Sequence, residues 1–243
     1  MGKCNKALIV KLLCEFLASF FVQFIGCSLT EQTFLGIALP LTGSFAYAMS
    51  WGGSVLAATQ AFRIVSGAHI NPCISIASMI LENVKIIDGL LYILMQLIGS
   101  ALGFGLSFGI FYNSHIKNQK FCCTALNVDP MWKAILLEFY MTGAWVFAMC
   151  ASWHESNETM LESISLRIGL IVVAATFVGA NFTRSCMSPF RSLWPAIAAG
   201  AYNHIYIYVA VPPVTAILLA FAWRFLYLQN KPETVKAEGG GGE

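Results

Sequence analysis

The stretch Ser66-Gly-Ala-His-Ile-Asn-Pro-Cys-Ile-Ser-Ile-Ala77 decides how this chain folds. An Asn-Pro pair at Asn71-Pro72 interrupts an otherwise apolar region. Asn is a preferred N-cap, and Pro is tolerated in the first helical turn, where its missing N–H is not needed. A short helix therefore starts at Pro72 and runs to about Leu81, too short to cross a bilayer. A second segment of this kind opens at Ser188-Pro189-Phe190 and runs to about Gly200.

Around these two segments the chain is greasy. Of its 243 residues 58% are hydrophobic and 11% charged, against about 25% charged in ordinary soluble domains. Its net charge of +2 and the lack of a basic stripe argue against nucleic acid as a partner. A membrane-crossing helix needs about 20 apolar residues, and that ruler finds six: Ala7–Ser28, Leu39–Phe62, Ile86–Phe111, Met131–Ser152, Ile164–Phe182 and His204–Leu228. No small-residue cleavage site follows the first, so it reads as a retained span. Myristoylation wants Ser or Thr where Lys6 stands, and palmitoylation of Cys4 has only the cysteine itself behind it. The polar end, residues 229–243, reads as a flexible tail by composition.

The two halves, about 7–111 and 131–228, share a layout. Glu15-Phe16 opens one and Glu138-Phe139 the other. The Pro-opened segments follow 56 and 50 residues later. Three spans per half make the second half enter from the opposite side of the membrane. That is an inverted repeat whose broken helices meet near the midplane and mark a pore or binding site. The expected fold is an all-α membrane protein of six transmembrane helices plus two re-entrant half-helices, one channel domain over 1–228.

Loop charges set the orientation. Lys3, Lys6, Lys11, Arg63, Lys85, Arg224, Lys231 and Lys236 fall on one side. Lys117, Lys120, Lys133, Arg184 and Arg191 fall on the other, with Arg167 at a span edge. Both termini are expected in the cytoplasm. The sequon at Asn157 should then go unused, and the one at Asn181 should be too buried for glycosylation. Among eight cysteines there is no C-x-x-C pair. Most read as small hydrophobes, and Cys122 and Cys123 as two unpaired thiols.

"SGAHINPC" and "TRSCMSPFRSLWPA", with Glu15-Phe16, Tyr92, Gln96, Gly99 and Asn203-His204, resemble the signature loops and span residues of the major intrinsic protein family, the aquaporins and aquaglyceroporins, over about Leu8 to Leu228. The resemblance implies one pore per chain, a homotetramer in the lipid bilayer, and water as permeant, with glycerol or urea beside it. It places Asn71, Pro72, Cys73 and Ser188, Pro189, Phe190 at the pore junction. By spacing it places Trp51, Thr176, Ser185 and Arg191 at the outer constriction.

This chain departs from the family pattern at four of these places. Ser188 stands for Asn, which removes a donor. Cys73 stands for Ala, Phe190 for a much smaller Ala, and Arg184 for Gly. Phe190 bears directly on the width of the pore. Thr176 is smaller than the His of water-selective relatives, and Trp51 resembles the glycerol-conducting branch, so the filter reads as mixed. An arginine inside a membrane marks a functional site, and Arg191 should supply donors to the solute and a barrier to cations.

Glu15 and Glu138 read as supports, since buried carboxylates can accept from loop N–H groups that would otherwise be costly to leave unpaired. His69 and His204 read as loop-holding residues, and Tyr206 and Tyr208 as packing and rim aromatics. No metal site, cofactor or catalytic pair is expected. An occluded structural or adhesion protein is the competing function. An ion-coupled transporter lacks an acidic pair at a helix break.

Overall fold

A computed structural model of the chain describes residues 6–34, 43–112, 120–155, 157 and 162–228. Lys3, Cys4, Lys117, the sequon residues Glu158 and Thr159, Lys231, Lys236 and the 229–243 tail lie outside the described residues, as do residues 39–42 of the second expected span. The described residues form α1 (Lys6–Phe34), α2 (Gly43–Ser66), α3 (Pro72–Ile80), α4 (Ile86–Phe111), α5 (Trp132–Ser152), α6 (Ile164–Gly179), α7 (Pro189–Ala199) and α8 (Ile205–Trp223), which runs on into a π-helical turn over Arg224–Leu228.

The helices are amphipathic in the inverse sense of a soluble protein. Ile9, Leu13, Leu17 and Phe21 form an exposed apolar stripe on α1, while Glu15, Ser19 and Gln23, also one turn apart, are buried. On α4 the exposed stripe is Leu90, Leu94, Ile98, Leu102, Leu106 and Ile110, and the buried set includes Tyr92, Gln96 and Ser100. An apolar outside with a polar inside suits lipid on one face and a polar interior on the other. Helices α1, α4, α5 and α8 are long and apolar enough to cross a membrane. Helix α2 carries buried Ser50, Ser54 and Thr59.

Helix α6 has 16 residues, about 24 Å of helix. It ends earlier than the expected Phe182 because the Gly179 carbonyl gathers the N–H groups of Phe182, Thr183 and Arg184 at 3.0–3.2 Å. Asn181 therefore lies in a turn. It is exposed, contrary to the sequence expectation, while Thr183 beside it is buried.

The packing repeats itself. Helix α1 packs on α2 and α4, as α5 does on α6 and α8. Half-helix α3 packs on α4 and α8, as α7 does on α8 and α4, and α2 pairs with α6 across the centre. Exchanging the halves maps this pattern onto itself, which is the inverted repeat in contact form. The α1–α4 seam is tight: a Cβ at Gly99 would collide with the Phe16 carbonyl, and one at Gly103 with that of Phe20. Small residues permit such backbone approach between membrane helices.

The connection after residue 120 drops into the bundle. Phe121 is buried against Phe104, Phe108 and Tyr112. Cys122 is bonded to Cys27 of α1, which corrects the expectation of two unpaired thiols; Cys123 is outside the disulfide, and its thiol donates to the Pro195 carbonyl. The partner lies 95 residues away in sequence, so only the fold brings the two sulfurs together.

Candidate functional site

The two half-helices begin in the same way. Asn71 has extended backbone and its side-chain oxygen accepts from the Cys73 N–H at 3.0 Å. Ser188 has the same backbone, but its hydroxyl makes no capping bond. Ser is a good N-cap by residue type, and the half-helix forms, but without a side-chain bond: the hydroxyl has a shorter reach than an amide. Before each cap the chain takes left-handed conformations at matching positions, Gly67, Ala68 and Ile70 before Asn71, and Arg184, Ser185 and Met187 before Ser188. Such conformations are unfavourable for residues with a Cβ and persist where surrounding contacts enforce them.

Two carboxylates supply those contacts. Glu15 accepts from the His69 and Ile70 N–H groups, each at 2.9 Å, from the Ser66 hydroxyl at 2.6 Å and from the Gln96 amide at 2.8 Å. Glu138 accepts from the Cys186 N–H at 3.0 and 3.1 Å and the Met187 N–H at 3.2 Å. In both halves the acid holds the two N–H groups just before the cap. The ring of His69 bonds Ser75 at 3.1 Å and packs edge-on to Tyr92. His204 does not hold a loop. It is exposed in a left-handed conformation at the start of α8, near the Tyr206 hydroxyl. Tyr206 is exposed, and Tyr208 is buried against Cys186 and Ile207.

The two loops meet. The Asn71 side-chain N–H donates to the Met187 carbonyl at 2.8 Å, so the cap of α3 is joined to the residue before Ser188. Beside this junction lies a narrow cavity of ≈ 40 Å³, bordered by Asn71, Ser188 and Phe190, by Val22, Val55, Val172 and Trp145, and by Trp51, Ser185 and Arg191. One water needs roughly 10–15 Å³ on this measure, so the space suits a short file of waters. Pro72, Cys73 and Pro189 are buried behind the caps. Phe190 is half-buried and borders the cavity.

Arg191 is 4% exposed. Its Nη1 donates to the Cys122 carbonyl at 2.7 Å. Its Nη2 donates to the Tyr47 hydroxyl at 2.6 Å and lies 3.3 Å from the Arg184 carbonyl. The guanidinium stacks 4.5 Å from the Trp51 ring centre, and the Trp51 N–H donates to Thr30 at 3.1 Å. Ser185 donates to the Thr176 carbonyl at 3.0 Å. Thr176 is fully buried and does not border the cavity, whose α6 contribution is Val172. Trp51, Ser185 and Arg191 thus border one cavity, with Arg191 over Trp51, and Thr176 joins Ser185 through its backbone.

Three features escaped sequence reading. Tyr47 stands one turn before Trp51, a spacing visible in the sequence but not distinguishable there from packing. Trp145 borders the cavity from α5 at a position held by Val22 in the other half. The Cys27–Cys122 bond had no local signal. Among the described residues no group of three or more His, Cys, Asp or Glu side chains could hold a metal ion.

The chain is similar to known proteins in sequence and in fold. The family described as Major intrinsic protein matches residues 4–223. Nodulin-26 from Glycine max is 29% identical over 232 residues, covering 93% of this chain and 82% of its own. Aquaporin-5 from Homo sapiens is 28% identical over 233 residues, covering 93% and 84%. The X-ray structure of the aquaglyceroporin from Plasmodium falciparum superposes with a TM-score of 0.75 at 19% identity, over 90% of this chain and 96% of that one.

Proposed function

The chain belongs to the major intrinsic protein family, and on that premise we propose that it is a passive membrane channel for water, passing small neutral solutes such as glycerol or urea as well. The observation that carries this reading is the Asn71–Met187 bond beside the cavity. It joins two half-helices whose N-termini converge on a largely apolar cavity with polar groups at the junction. An Asn71 amide hydrogen and the Ser188 hydroxyl stand ready for a passing oxygen, while the two positive helix ends disfavour cations there. Arg191 adds a buried positive charge with no carboxylate in ion-pair range among the described residues.

In this proposal residues 1–228 are the channel domain, with both termini cytoplasmic, and residues 229–243 are a tail outside it. Trp51, Ser185 and Arg191, with Thr176 behind Ser185, form the selectivity filter. The Trp51 ring supplies an apolar wall that suits a carbon backbone. The assembly is a homotetramer, each chain with its own pore, as the family resemblance implies.

Stopped-flow light scattering on proteoliposomes tests the function. A sucrose gradient should drive shrinkage faster than in empty vesicles, and a glycerol gradient should add a faster re-swelling phase. Shrinkage no faster than in empty vesicles would reject the channel and favour an occluded structural protein, the reading that Phe190 bordering the cavity would then explain.

A further inference from the structure

We propose that Tyr47 is a positioning residue for Arg191 and thereby sets which solutes the passage admits. The proposal rests on the channel reading above. Arg191 is a buried cation whose hydrogen-bond partners are all neutral. Two carbonyls, one hydroxyl and one aromatic face surround it. Hydrogen bonds to a charged donor are short and strong, and the 2.6 Å contact to Tyr47 is the shortest of the set.

Tyr47 closes a small ring of bonds. Its hydroxyl accepts from Arg191 Nη2 and donates to the Arg184 carbonyl at 2.6 Å, and that carbonyl is itself within reach of Nη2. Arg184 is in the left-handed region with φ 57°, so the aim of its carbonyl depends on outside support, which the phenol gives. Tyr47 is 2% exposed and sits one turn before Trp51. One face of α2 therefore supplies both the ring under the guanidinium and the oxygen at its edge. Held this way, Arg191 has its Nη2 fully engaged by two acceptors and its Nε buried without a protein partner. The solute meets a fixed edge with few donors. Without the phenol oxygen the side chain regains rotation and the passage widens for solutes broader than water.

The test uses the full chain in proteoliposomes. Tyr47→Phe keeps the ring and removes the oxygen. The glycerol-to-water permeability ratio should rise by about fivefold, the scale of one hydrogen bond. Arg191→Ala should raise it too, and adding Tyr47→Phe to Arg191→Ala should change nothing further. An unchanged or lower ratio in Tyr47→Phe, or a further rise in the double variant, would overturn the proposal. Nitrogen NMR of arginine-labelled protein gives a readout independent of flux. Arg191 should show two resolved Nη signals, absent in Arg191→Lys, that merge in Tyr47→Phe. Merged signals in the unaltered protein would also overturn it. Vesicles that conduct nothing while the signals split and merge as described would sink the channel reading and leave the Tyr47–Arg191 clamp standing.

Discussion

At the scale of single residues, Phe190 and Arg184 are the two departures with the clearest consequences. Phe190 stands one residue past Pro189 at the start of α7, and it is one of the residues that border the cavity. Phe190→Ala should therefore raise water permeability severalfold, read as the shrinkage rate under sucrose. A rate equal to the parent's would put the ring off the water path. Arg184 occupies a left-handed backbone position that its counterpart Gly67 fills without a Cβ. Arg184→Gly should relieve about 1–2 kcal/mol of backbone strain, set against loss of the bond from its guanidinium to the Cys123 carbonyl at 3.3 Å. Since Tyr47 donates to the Arg184 carbonyl, which glycine would keep, the latch on Arg191 should survive that change.

At the scale of elements, each half-helix is possible because a carboxylate on a neighbouring span takes up the N–H groups of its approach. Glu138→Ala would leave the Cys186 and Met187 N–H groups buried without acceptors. At about 1–3 kcal/mol for each orphaned group, the variant should unfold well below the parent in a detergent melting scan. Glu138→Gln retains an accepting oxygen and should lose less. Equal melting for Ala and Gln would mean that the acid does not hold the loop. The sequence showed both acids, both half-helices and most helix ends, because capping residues and apolar lengths are local signals. It did not show that the Ser188 hydroxyl leaves its helix uncapped, since a side chain's reach depends on backbone geometry that residue type alone does not specify.

At the scale of the whole molecule, the Cys27–Cys122 bond ties α1 to the connection that supplies the Cys122 carbonyl to Arg191. Closing a loop of this length restricts the unfolded chain by about 2–5 kcal/mol. The variant with both Cys27→Ser and Cys122→Ser should melt lower than the parent, and reductant should lower the parent's melting temperature but not the variant's. A parent indifferent to reductant would show the sulfurs unpaired in the folded protein. The sequence by itself determined that this chain is a membrane-embedded inverted repeat with two broken helices: periodicity, span length and the Asn-Pro and Ser-Pro helix starts are properties of neighbouring residues. Only the tertiary structure decided how Arg191 is held. Its partners come from positions 47, 51, 122 and 184, and contacts between residues so far apart along the chain exist only once the helices have packed.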